Sequence, residues 1–148
     1  MAFFLVSSSS AAAVLTPFHL SSSTINSPYD LIRGTVAHSP EFTKVPWFPE
    51  ELEFELKWGI FAMGFATLKS VQIVDFGGQP AYHIISEART TKFADKFYKV
   101  RDLNESWIHV GDLRSLGYSK QLREGKFFRD EWVLYDYDRK TWLSKRVN

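Results

Sequence analysis

Cysteine is absent from this chain of 148 residues. That excludes disulfides, thiolate catalysis, thiolate metal sites and a lipid-modified amino-terminal cysteine. Charge is scarce in one region only: between Met1 and Pro40 the charged groups are Asp30 and Arg33. No apolar run approaches the roughly 20 residues of a membrane-spanning helix, because Ser7–Ser10, Pro17 and His19 interrupt it. Net charge is nearly absent too, at +1, so the whole molecule favours neither nucleic acid nor an anionic membrane. Local basic stretches are a separate matter.

The uncharged region has a character of its own. Ala2–Val6 is apolar, Ser7–Ser10 is a serine run, and Ala11–Leu15 is apolar again. This reads as the hydrophobic centre of a secretory signal, with small residues at Ser21 and Ser23 offering a cleavage site. The usual basic start is missing, since the first Lys or Arg is Arg33. A transit peptide would share the serines but carry more arginine, and a leader without an address is the third reading. Export to the periplasm or cell envelope is the expectation. Ser21–Pro40 reads as linker. Residues 1–44 are therefore expected to be a signal-like or disordered leader and linker, and residues 45–148 one antiparallel β domain. About a hundred residues bury roughly two-thirds of their unfolded surface in one core. With 13 Phe, 6 Tyr and 5 Trp, that core or a binding face must be unusually aromatic.

From Glu51 the pattern has period two. Leu52, Phe54, Leu56 and Trp58 alternate with Glu51, Glu53, Glu55 and Lys57, which predicts a half-buried strand. A second strand spans Phe65 to about Asp75, a Gly77-Gly78 hairpin follows, and a third runs from Ala81 to about Thr90. Phe93 and Phe97, four apart among lysines, predict one short amphipathic helix over Thr91–Tyr98. Further strands fall at Leu103–Val110, Ser115–Glu124, Phe127–Tyr137 and Thr141–Val147. A two-residue turn at Gly125-Lys126 sets Lys120 opposite Glu131 and Tyr118 opposite Val133. A turn at Asp112-Leu113 sets Glu105 opposite Lys120 and Trp107 opposite Tyr118. The two together predict a cross-strand charge cluster of Glu105, Lys120 and Glu131, which a slip of one residue would dissolve.

Chemistry is hard to find. No G-x-S-x-G elbow, Walker loop or G-x-G-x-x-G occurs. His19 and His38 lie in the leader, while His83 and His109 sit on different strands with no carboxylate at ligand spacing. Asp130 and Glu131 are adjacent and point to opposite faces of a strand, so they cannot share a site. Basic and aromatic residues interleave at Arg89–Arg101 and Tyr118–Arg129, a mixture that suits nucleic acid but suits any solvated strand better. No catalytic residue, cofactor, metal site, nucleic-acid partner or transmembrane segment is expected.

Three stretches carry a family resemblance: ELEFELKWGIFAMGFATL at 51–68, EARTTKFADKFYKVRDLNESWI at 87–108 and LRSLGYSKQLREGKFFRDEWVLYD at 113–136. Trp58-Gly59, Gly64–Leu68, Phe97–Asp102 and Leu113–Asp130 fall in the order and spacing of the bacterial domain of unknown function 3108 family. The chain resembles that family over nearly everything after Val45. The resemblance implies a bacterial exported protein with a curved antiparallel sheet, a half-barrel like those of lipoprotein carriers. It implies no reaction and no catalytic residues. Members usually continue for several more strands, so the chain is expected to be cut short after Asn148.

The expected function is that of a non-enzymatic envelope protein holding a lipid or another envelope protein. A concavity between sheet and helix would have Phe93 or Phe97 and Tyr98 at its lip. The ligand-contact candidates are Trp58, Phe93, Phe97, Tyr98, Trp107 and Trp132. A glycan or surface-polymer binder is the alternative, and a hydrolase or lyase using carboxylates such as Glu105 is a third.

Overall fold

The computed structural model describes residues 25–37 and 45–148. Expectations for Met1–Thr24 and for 38–44 lie outside the described residues. Within them the chain forms eight antiparallel strands: β1 (Ile32–Thr35), β2 (Glu50–Trp58), β3 (Phe61–Phe76), β4 (Gln79–Thr90), β5 (Arg101–His109), β6 (Ser115–Glu124), β7 (Phe127–Asp136) and β8 (Thr141–Val147). They make one sheet in the order β1-β3-β4-β5-β6-β7-β8, and β2 also pairs with β3. The outer edge of the long strand β3 is thus shared. β2 lies along its Phe61–Ser70 half, and β1 along Val74–Phe76.

The mostly β, antiparallel expectation holds, but the sheet is open and uncurled rather than a half-barrel. Residues 91–98 are not an α-helix either. They contain a single 3-10 turn, Ala94–Lys96, because Asp95 is drawn into bonds with Thr90 and Arg101 before a second turn can form.

Core formation explains why part of the expected linker is folded. An uncurled sheet buries neither face by itself, so each needs a cover. On the back face, Val74, Phe76, Ala81, Trp107, Leu116 and Leu134 form a buried cluster, and Ile25, Leu31 and Ile32 pack against it. On the front face, Phe48, Ile73 and Tyr82 form a second cluster with Val36, Val45 and Trp47 around it. The segment read as linker therefore belongs to the domain from Ile25 to Ala37. Ser27 and Asp30 cap a 3-10 turn at Pro28–Leu31, and Leu31 O accepts the Gly77 N–H at 2.8 Å. An extra residue in β3 between Ser70 and Gln72 reverses the alternation, so that Ala66 and Leu68 before it share the front face with Ile73 after it, while Val74 and Phe76 point to the back.

Hairpin registers divide sharply. Gly77 and Gly78 have φ of 62° and 90°, as a two-residue hairpin turn of this hand requires. Gly125 has φ of 60°, and Glu124 faces Phe127, Lys120 faces Glu131 and Tyr118 faces Val133, as expected. Between β5 and β6 the register differs. Glu105 faces Ser119, and Asn104 faces Lys120. The link is longer than a two-residue turn, with the His109 N–H bonded to Arg114 O, and a bulge between Trp107 and Ile108 displaces the ladder again. The net slip of one residue sends Glu105 to the back face. The charge cluster of Glu105, Lys120 and Glu131 does not form; Glu131 pairs instead with Arg146 at 2.6 Å and accepts the Tyr118 hydroxyl at 3.0 Å.

Candidate functional site

The strand expected to be half-buried is exposed along both faces. All nine residues of β2 are solvent-accessible, including Leu52, Phe54, Leu56 and Trp58. Their alternation is what keeps β2 in register. Leu52 faces Leu68, Phe54 faces Ala66 and Leu56 faces Gly64, while Ala66 in turn faces Ala88 of β4. The apolar row is then left uncovered because the front cover, Val45–Phe48, sits at the Ile73–Tyr82 end. Beside Leu56 lies a hollow of about 160 Å³ lined by Met63, Gly64, Phe65, Ala88, Thr90 and Val100. The small residues make it. A Cβ on Gly64 would come within 2.9 Å of Arg89 O, so β3 and β4 approach closely there and leave no side chain to fill the floor.

The six aromatic ligand candidates are not one group. Trp58, Phe93, Phe97 and Tyr98 gather at the sheet end formed by the β2–β3, β4–β5 and β6–β7 links, and all are exposed. Phe61 and Phe93 stack with centroids 5.6 Å apart, and Phe97 meets Phe93 edge-on at 5.7 Å. With a 3-10 turn in place of the expected helix, there is no sheet–helix pair for them to line. Trp107 is fully buried in the back cluster, and Trp132 packs against that cluster. Neither can touch a ligand on the front face.

Opposite lies a polar group that the sequence did not pair. Glu105 is only 7% exposed, and two side chains share its carboxylate. His83 Nε2 lies 2.6 Å from Oε2, and the Tyr29 hydroxyl donates to Oε1. Trp107 backs the arrangement, with the His83 ring stacked at 5.4 Å, Phe76 stacked at 4.9 Å and Tyr29 edge-on at 5.9 Å. Burial raises the Glu105 carboxyl, but the bonds from His83 and Tyr29 outweigh it and hold the group below its usual range. The Tyr29 phenol is pushed up to about 12, by burial first and then by its bond to Glu105. Chemically this is a fastening. Both carboxylate oxygens are occupied, and Tyr29 closes over the group while tying Pro28–Leu31 to the sheet. His109 likewise has a carboxylate, with Asp112 Oδ1 2.7 Å from Nδ1. The sequence expectation that both histidines lack a carboxylate fails because β4 and β5 pair across a ten-residue link, and because the β5–β6 loop folds back on itself. Among the described residues, no group of three or more His, Asp or Glu side chains is placed to hold a metal ion.

The described residues define an antiparallel β-sheet protein with an uncovered apolar row on one face. Residues 53–148 match the family described as Protein of unknown function (DUF3108), and the chain belongs to that family. No curated protein and no solved structure matches the chain.

Proposed function

We propose that this chain is a non-enzymatic protein of the cell envelope whose front face holds the acyl chain of a lipid. The uncovered apolar row of Leu52, Phe54, Leu56, Ala66, Leu68 and Ala88, ending in the hollow beside Leu56, carries this reading. An extended hydrocarbon matches a straight, narrow row of this kind, and exposed apolar surface of this extent ordinarily marks a binding site. The charged residues of β2 belong to its other face. Glu51 pairs with Lys69 at 2.5 Å and Glu55 with Lys57 at 2.8 Å, so the charges of β2 stay off the row, and Arg89 is the charged residue at the edge of the hollow. Burying about three methylenes against it would contribute roughly 2 kcal/mol, and a longer chain proportionately more. Non-enzymatic action fits the use of Glu105, whose carboxylate fastens the Tyr29 segment. Export fits the leader read from the sequence.

The test is solvent extraction of the purified protein with mass spectrometry, alongside displacement of a fluorescent fatty acid. Lipid should co-purify and be lost in Phe54→Asp and Leu56→Asp with thermal unfolding unchanged. Fluorophore binding that is equally strong in both variants would refute the assignment.

A further inference from the structure

The sheet end that gathers Trp58 and Phe97 has a second property, independent of the front-face row. Three links emerge there, and they are bonded into one surface. Thr91 N–H donates to Met63 O at 2.9 Å and Gly125 N–H to Lys99 O at 2.7 Å, so the β4–β5 link bridges the turns on either side. Tyr98 lies against the Gly125 backbone. Asp95 fixes the link from beneath, accepting from the Thr90 hydroxyl and from both terminal nitrogens of Arg101, at 3.1 and 2.6 Å.

Held this way, the end turns apolar side chains outward. Trp58 is 76% exposed, Ile60 89% and Phe97 75%, with Phe61, Phe127 and Phe128 also exposed. Cations surround them. Lys92, Lys96 and Lys99 lie on the β4–β5 link against Asp95 alone, and Asp95 is committed to Arg101. Lys126 and Arg129 flank the β6–β7 turn against Glu124. Arg129 stands over the Phe127 ring and Arg123, paired with Asp130, over Phe128. Among the described residues Lys92, Lys96, Lys99 and Lys126 make no ion pair. In a chain of net charge +1, four unpaired lysines thus stand at the end where large apolar groups protrude.

We infer that this end docks on the surface of an anionic phospholipid bilayer. Protruding Trp, Phe and Ile beside lysines match both layers of such a surface. The rings enter the headgroup boundary and the ammonium groups meet lipid phosphates. A polyanion in water would draw on the lysines but leave Ile60 and Phe97 solvated. Among the described residues no helix is long and apolar enough to cross a membrane.

Sedimentation of the full chain with phosphatidylcholine vesicles, with and without phosphatidylglycerol, tests the inference. Binding should require phosphatidylglycerol and weaken as salt rises. Phe97→Ser should lower the affinity about ten-fold, and Lys96→Glu combined with Lys99→Glu and Lys126→Glu should lower it by more. Brominated lipid should quench wild-type fluorescence more than that of Trp58→Phe. Phe54→Asp, which removes the acyl-chain row, should leave vesicle binding unchanged, so the two readings fail separately. Absence of binding to both vesicles would overturn docking. So would equal binding by the Phe97 and lysine variants, or loss of affinity in the lysine variant alone, which would mark a general polyanion patch.

Discussion

Tyr29→Phe tests the fastening at Glu105. The substitution keeps the ring against Trp107 but removes the hydroxyl that donates to Glu105 Oε1. Oε1 then belongs to a nearly buried carboxylate with one partner instead of two. Loss of a bond to a charged acceptor costs about 1.5–3 kcal/mol where water cannot replace the donor. Tyr29 is itself 42% exposed, so water reaches the vacated position and the bottom of that range applies, about 1.5 kcal/mol. With a urea m-value of about 1–1.5 kcal/mol/M for a domain of this size, the unfolding midpoint should fall by roughly 1 M. Hydrogen exchange gives a second readout. Amides of the Pro28–Leu31 turn, and Gly77 N–H, which bonds to Leu31 O, should lose protection before those of β5 and β6. A midpoint unchanged within error, with protection at Gly77 intact, would refute the fastening role of Glu105. The double variant with His83→Gln would show whether the two donors act as a unit, which predicts a coupling of more than about 0.5 kcal/mol.

Further predictions concern the pH dependence of this group and, at the other end of the sheet, the Gly125 turn. Glu105 has a folded pKa below its unfolded value, so its contribution to stability is present above the ordinary carboxylate range and is lost as pH falls through the lowered value. Tyr29 is shifted upward, so its contribution is intact below about 10 and lost as pH approaches about 12; urea titrations at acid and alkaline pH should show both losses, and Glu105→Gln should reduce the acid one, to which Asp95 and Glu131, also held low, contribute as well. Gly125→Ala forces a side chain onto φ of 60° with its Cβ 2.8 Å from the Tyr98 ring, and should lower stability by about 1–2 kcal/mol and release Tyr98, as tyrosine fluorescence or calorimetry would report.

What the sequence discloses depends on how far apart the paired groups lie. Gly125-Lys126 is a turn of two residues, so its register follows from local backbone geometry, and Lys120 opposite Glu131 was readable from it. The β5–β6 link has no such constraint. Its bulge shifts everything beyond, and the cluster around Glu105 was lost with it. Glu105 meets His83 across the 91–100 link, and Tyr29 from farther still, where no turn rule applies. The alternation of β2 shows that it is a strand, but period two cannot say whether the apolar face has a cover. That depends on where Val45–Phe48 lies, at the far end of the same face. The short strand Ile32–Thr35 carries only four residues and no alternation, so it looked like the linker around it. The exposed aromatics at the sheet end were legible as residues. Their union depended on the 3-10 turn and on Asp95.

The two clusters on opposite faces impose an order of assembly. The back cover, Ile25–Ile32, is synthesised before any other described element, yet its partners Trp107, Leu116 and Leu134 come from β5, β6 and β7. The first piece made is therefore the last that can be seated. Until β7 pairs, the cover has nothing complete to rest on, and Trp107 and Phe76 face solvent on a growing sheet. Contacts so distant in sequence form slowly, and apolar surface waiting for them is the species that misassociates. Yield in refolding should then be governed by the concentration of the chain during that interval rather than by the stability of the finished sheet.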